Sequence, residues 1–153
     1  MLRLSILLAL AVGAYSHLCL INPHQRGSAA SINKPGADDC GLTTGPCGGR
    51  HGGQPMVAVP SGETVNITFQ KNLNHFNAEK PGHFAFAFGT EQKLEAIGMT
   101  PDTNTSSPWL YEFPIDVPKV EKRETGVLQV TYVTSNPNAP AVFYQCADVE
   151  IIP

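Results

Sequence analysis

Beyond Pro55 the chain alternates between apolar and polar positions. In residues 64–70, Val65, Ile67 and Phe69 share one parity and Asn66 and Thr68 the other. A period of two is that of a strand with one buried face. In residues 83–88, Phe84, Phe86 and Phe88 share a face that reads as core, leaving His83, Ala85 and Ala87 opposite. Similar runs recur at 55–59, 64–70, 83–89, 92–97, 109–116, 125–134 and 141–152, separated by turn residues. That cadence predicts an all-β sandwich. In the last run the expected inward residues are Ala147, Val149 and Ile151, with Tyr144, Cys146, Asp148 and Glu150 facing out. Residues 22–55 break the pattern, being rich in Gly, Pro, Ser and His. They predict one long loop, of a length that in compact domains is usually functional or disordered. Two cysteines inside it argue for order. No stretch has the period of a long amphipathic helix, and there is no repeat, P-loop or Gly-x-Ser-x-Gly turn.

The N-terminus changes the setting. Arg3 precedes an apolar run from Leu4 to Ala14, and Ala14 and Ser16 are small residues at the −3 and −1 positions of a cut before His17. This predicts a signal peptide over 1–16, too short for the roughly 20 apolar residues of a bilayer span, and a secreted single domain over 17–153. The formal net charge of −3 speaks against nucleic acid, which asks for a basic stripe. Four cysteines, Cys19, Cys40, Cys47 and Cys146, imply two disulfides in a secreted chain, with three pairings open. No Cys-x-x-Cys pair supports a zinc ribbon. Asn66 and Asn104 each begin an N-glycosylation acceptor. The end of the chain lacks a polar spacer and hydrophobic tail, so no GPI anchor is expected.

A chain cut before His17 would begin with a histidine. Such a residue offers a metal its α-amine and its nearer ring nitrogen, closing a six-membered chelate. Amine and imidazole nitrogens suit Cu(II), which favours square-planar or tetragonal N,O geometry. Deprotonating an α-amine of pKa about 7.7 to 8.0 costs only about 1 kcal/mol at pH 7.

A second histidine would have to come from elsewhere in the chain. His51 sits in Gly48-Gly49-Arg50-His51-Gly52-Gly53, which leaves a ligand poorly oriented, and His24 lies in a Pro-flanked turn close to His17. His83 opens a strand. His75 lies in the connection between two confident strands, where binding residues on a rigid scaffold tend to sit, and loop placement leaves its ring free to turn. His75 is preferred, with His83 kept as the alternative.

His17 at the cleavage site, Pro46-Cys47-Gly48-Gly49, the surroundings of Asn74-His75, and above all Phe143-Tyr144-Gln145-Cys146-Ala147-Asp148-Val149 together resemble the copper acquisition factor (Bim-type) domains. Those are extracellular relatives of the lytic polysaccharide monooxygenases. The resemblance spans essentially the whole of 17–153. It implies an immunoglobulin-like antiparallel β-sandwich with a long disulfide-tied N-terminal loop. It also implies one Cu(II) held by His17, a second histidine matched by His75, and Asp148.

Three functions are then expected to compete: a secreted copper-binding protein for acquisition, delivery or buffering; a copper-dependent polysaccharide monooxygenase; and a metal-free secreted binding domain. The first would act as a monomer and exchange copper with a cell-surface copper transporter. Pairing Cys47 with Cys146 would lay the loop over the strand carrying Asp148, and Cys19 with Cys40 would tether the segment after His17. With Asp148 as a ligand, the two nitrogens of His17, one of His75 and a carboxylate oxygen would fill four positions. Oxygen chemistry needs an open one, so copper binding without polysaccharide oxidation is expected. Trp109, Tyr111 and Tyr144 are the aromatic candidates for a flat polysaccharide face, and core or edge packing is the expected place for them.

Overall fold

The computed structural model describes residues 17–153, and the leader predicted for 1–16 lies outside them. Among the described residues eight strands form two sheets: β1 (His17–Asn22), β2 (Val57–Pro60), β3 (Thr64–Leu73), β4 (His83–Thr90), β5 (Lys93–Pro101), β6 (Trp109–Asp116), β7 (Glu124–Val133) and β8 (Val142–Ile152). The smaller sheet runs β1-β3-β6 and the larger β2-β8-β7-β4-β5. This is the expected immunoglobulin-like sandwich. Seven of the strands coincide closely with the alternating runs. The first, β1, does not announce itself: Leu18-Cys19-Leu20-Ile21 is a short apolar run without alternation, and periodicity alone cannot assign such a run. One pairing departs from the antiparallel expectation, because β2 meets β8 in parallel, Val57 opposite Val149. The long loop brings the chain alongside the C-terminal part of β8, where Val57–Pro60 pair with Val149–Ile152.

Parity on β3, β4 and β8 follows the sequence. Ile67 and Phe69 on β3, Phe84 and Phe86 on β4, and Ala147, Val149 and Ile151 on β8 are buried, whereas Asn66 is exposed. Phe69 is the hub between the sheets, with ring centroids 4.9 Å from Phe84, 5.4 Å from Phe86 and 5.2 Å from Tyr111. Such offset and tilted pairs add about 0.5–1.5 kcal/mol each beyond area burial.

Residues 23–56 cross the edge between β1 and β8. Among the described residues their regular structure is limited to a 3-10 turn, Asp38–Cys40. Buried amide side chains hold them. Gln25 accepts from the Leu20 N–H at 2.9 Å, and Gln145 donates to Leu18 O at 2.9 Å and Asp39 O at 2.6 Å. The Asn72 oxygen accepts from Gly36 and Ala37 N–H at 2.8 and 2.9 Å. Disulfides Cys19–Cys40 and Cys47–Cys146 tie the middle of the loop to β1 and to β8, in the expected pairing. Among the described residues no helix is long and apolar enough to cross a membrane.

The two bridges differ in the chain they close, with sequence separations of 21 and 99. In the chain-entropy picture they contribute about 3.3 and about 4.7 kcal/mol. Replacing Cys47 and Cys146 with Ala is expected to lower the denaturant midpoint more than replacing Cys19 and Cys40. Equilibrium unfolding of the two double variants checks the order.

Candidate metal site

His17 is the first residue of β1 and stands opposite Leu73, the last of β3; His75 follows two residues later. Both are buried, 5% and 7% exposed. The β1–β3 ladder therefore brings the two preferred histidines to one end of the small sheet. Opposed residues of an antiparallel pair hold their Cβ atoms about 4.5–5.5 Å apart. The His17 ring packs on Gly41: a Cβ there would meet Nε2 at 2.9 Å and Cδ2 at 3.1 Å. That contact takes the Nε2 edge, so Nδ1, the nitrogen nearer the main chain, lies on the side turned from Gly41. A chelate with the α-amine would use Nδ1.

The His75 main chain is fixed from several sides. Asn74 caps the turn by accepting the Phe76 N–H at 3.0 Å, and Asn136 donates to His75 O at 3.2 Å. Nearby, the Tyr132 hydroxyl donates to Asp102 at 2.6 Å, and Lys71 Nζ reaches the other Asp102 oxygen at 2.9 Å. Burial first, and then the Asp102 carboxylate, push the Tyr132 hydroxyl far above its ordinary range, so it stays protonated and donating.

The other histidines stand elsewhere. His83 opens β4 opposite Val133 and Pro101, half-buried, with the parity opposite to core residue Phe84. His51 is exposed; His24 is exposed with Nδ1 bonded to Gln25 O at 2.7 Å.

Asp148 faces out from β8 beneath the loop as expected, but its carboxylate is committed to a different partner. Arg26 Nε and Nη2 donate to its two oxygens at 3.0 and 2.6 Å, and the Gly53 N–H adds a third bond at 2.9 Å. Arg26 also reaches Glu91 at 3.1 Å. Burial works against the Arg26 charge, yet the hydrogen bonds to Asp148 and Glu91 outweigh it and hold its pKa above the ordinary value. Asp148, expected beside His17 and His75 as a ligand, here has a guanidinium facing both of its oxygens. Arg26 was missed because its partner lies 122 residues away, and no local pattern links the two.

Among the described residues no group of three or more His, Cys, Asp or Glu side chains is arranged to hold a metal ion. Two imidazoles with a main-chain amine are an all-nitrogen set of the kind Cu(II) accepts. The groups present are compatible with that set.

Asn66 and Asn104, the two glycosylation acceptors, are both exposed. Of the three aromatics considered for a flat binding face, Tyr111 stacks on Phe69 at an interplanar angle of 9° and bonds through its hydroxyl to Thr103 and Thr105. Tyr144 packs its ring against Gly45. Trp109 is half-exposed on edge strand β6.

Asp148→Asn is expected to cost about 3 kcal/mol, the low end for breaking a buried ion pair, because Arg26 keeps Glu91. The electron paramagnetic resonance spectrum of added Cu(II) should be unchanged. A stability loss with an unaltered spectrum assigns Asp148 to the fold; an altered spectrum returns it to the metal.

No protein-family profile matches the chain, and no curated protein is similar to it in sequence at a significant level. Its fold is similar to that of the lytic polysaccharide monooxygenase AA15 from Thermobia domestica in the Cu(I) state, with TM-score 0.61 and 18% identity over 89% of this chain and 99% of that one. It is also similar to a chitin binding domain from Burkholderia pseudomallei, with TM-score 0.54 and 15% identity over the same shares of the two chains.

Proposed function

We propose that the chain is a secreted copper-binding protein, cut before His17, that holds one Cu(II) through the His17 amine, the His17 ring and the His75 ring, for copper acquisition, delivery or buffering. The observation that carries this reading is the meeting of His17 and His75 at the end of the β1–β3 ladder, both buried and both held by their surroundings. The fold likeness to a copper monooxygenase supports it. Packing of Tyr111 into the core favours binding over work on a flat polysaccharide, since it withdraws one aromatic from any such face. A cell-surface copper transporter is the kind of partner such a carrier would serve.

A second reading has its own support. With Asp148 held by Arg26, the carboxylate that would have filled the fourth position is withdrawn, and an open position is what oxygen chemistry requires. Copper-dependent oxidation of a polysaccharide such as chitin is the function that this arrangement would serve.

One preparation tests both. Protein beginning at His17 is expected to bind one equivalent of Cu(II) with a nitrogen-rich paramagnetic spectrum. An extra residue before His17 should weaken binding at least tenfold, because the amine leaves the chelate. Equal binding by the extended form would reject the site. With ascorbate and chitin or cellulose, the binding reading expects no oxidised oligosaccharides; their release would make the second reading the function.

A further inference from the structure

The two ends of the long loop dock side by side on β8. The Arg26 N–H donates to Cys146 O at 2.7 Å, and the Met56 N–H to Asp148 O at 3.4 Å. Carbonyls two residues apart on one strand are about 7 Å apart. The start and the end of the loop therefore face each other, and an open cavity of about 370 Å³ lies between them. His24, from the start, and His51 and Met56, from the end, all line it, together with Arg26 and Asp148. The length of β1 separates His24 from His17.

Each of the three donors has a fixed main chain or ring. The His24 ring bonds Gln25 O through Nδ1 at 2.7 Å. A carbonyl only accepts, so in the neutral ring Nδ1 carries the proton and Nε2 keeps its lone pair. A bond of this kind is what orients metal-bound imidazoles. The surroundings of His51 are less loose than their glycines imply. Arg26 Nη1 donates to Arg50 O at 3.1 Å and the Gly53 N–H to Asp148 at 2.9 Å, on either side of the histidine. Met56 is 76% exposed. A single exposed apolar side chain is ordinary. A thioether that shares a cavity with two imidazoles is also a set of metal donors.

We propose that His24, His51 and Met56 form a second metal site, one that takes a soft monovalent ion, with Cu(I) as its natural occupant. Thioether and imidazole are donors that suit Cu(I). The Arg26–Asp148 pair sharpens the choice. Both Asp148 oxygens face the guanidinium, so that residue offers no free carboxylate to a hard divalent ion. The guanidinium also repels a divalent ion twice as strongly as a monovalent one, because Coulomb energy scales with charge. The site stands independently of the copper reading at His17. With both sites in place, the nitrogen set at His17 would hold the oxidised ion and this cavity the reduced one.

Silver(I) is the probe, since it shares the charge of Cu(I) and its preference for sulfur without the redox chemistry. The chain beginning at His17 has two methionines, and Met99, 66% exposed, is the internal control for Met56. One equivalent of Ag(I) is expected to shift the Met56 methyl and the His24 and His51 ring resonances in nuclear magnetic resonance spectra, leaving the Met99 methyl in place. Met56 and His51 are both exposed, so Met56→Leu and His51→Ala should fold as the wild type does. Each should raise the Ag(I) dissociation constant at least roughly tenfold, the low end of what losing even an outer support of a metal ligand costs. An extra residue before His17 disables the other chelate and should leave Ag(I) binding here unchanged, so the two sites fail separately. Equal shifts at Met56 and Met99 would mean undirected uptake by thioethers and would overturn the proposal. Unaltered silver affinity in both variants would do the same, as would a silver affinity lost in the extended chain. Zn(II) should leave Met56 unshifted; a shift at the same concentration would reject the soft-ion assignment.

Discussion

The structure depends on finding partners for the backbone of a loop that belongs to no sheet. Every buried N–H and C=O must be paired, and residues 23–56 have almost no ladder in which to do it. Gln25, Asn72 and Gln145, each buried, act as substitutes for strand neighbours, bonding main-chain groups of the loop or of β1. The disulfides then hold the loop where these amides can reach it. A consequence at the site is that Gly41, the residue immediately after Cys40, is brought against the His17 ring, where a side chain would not fit without movement. Loop closure and histidine orientation are thus one packing problem.

Asp148 stands where parity placed it, and there it meets a partner that no local pattern announces. Parity on β8 put it on the outer face under the loop, and there it is. A carboxylate in that half-buried setting needs a counter-charge, and the loop supplies one in Arg26, whose fork meets both oxygens. Two N–H bonds from one guanidinium and a third from Gly53 leave a metal with a poor competitor's share of that carboxylate. The pairing also explains what holds the glycine-rich segment 48–53, which has few side chains with which to pack: the Arg26 guanidinium bonds Arg50 O, and Asp148 takes the Gly53 N–H.

Much of the fold was legible because period-two alternation is a local property. Val65, Ile67 and Phe69, or the three phenylalanines of β4, declare their face without reference to the rest of the chain. His17 and His75 were singled out for a different reason: a cut site and a loop between two clear strands are also local signals. What stayed hidden is long-range and polar. Nothing near Lys71 says that it will be buried against Asp102, 31 residues on, and an isolated lysine at a strand end ordinarily reads as exposed. The strand β1 was hidden too, since its four apolar residues follow an apolar leader with no alternation to mark the change.

One candidate ligand opens β1 and the other lies just past the end of its neighbour β3, and this decides which parts of the fold the site can tolerate losing. The distance between His17 and His75 is set first by the β1–β3 register, which contains an irregularity between His17 and Leu18. A slip of one residue there would turn Leu18 and Leu20 out of the core, so the buried face guards the register at the cost of the whole β1 contact. The register cannot, however, set the direction of the chain after Leu73, where the ladder ends. That freedom is reduced by Asn74 within the turn and by Asn136, whose amide donates to His75 O. The small sheet brings the histidines to one end of the fold, and the segment after β7 of the large sheet holds the main chain of one of them.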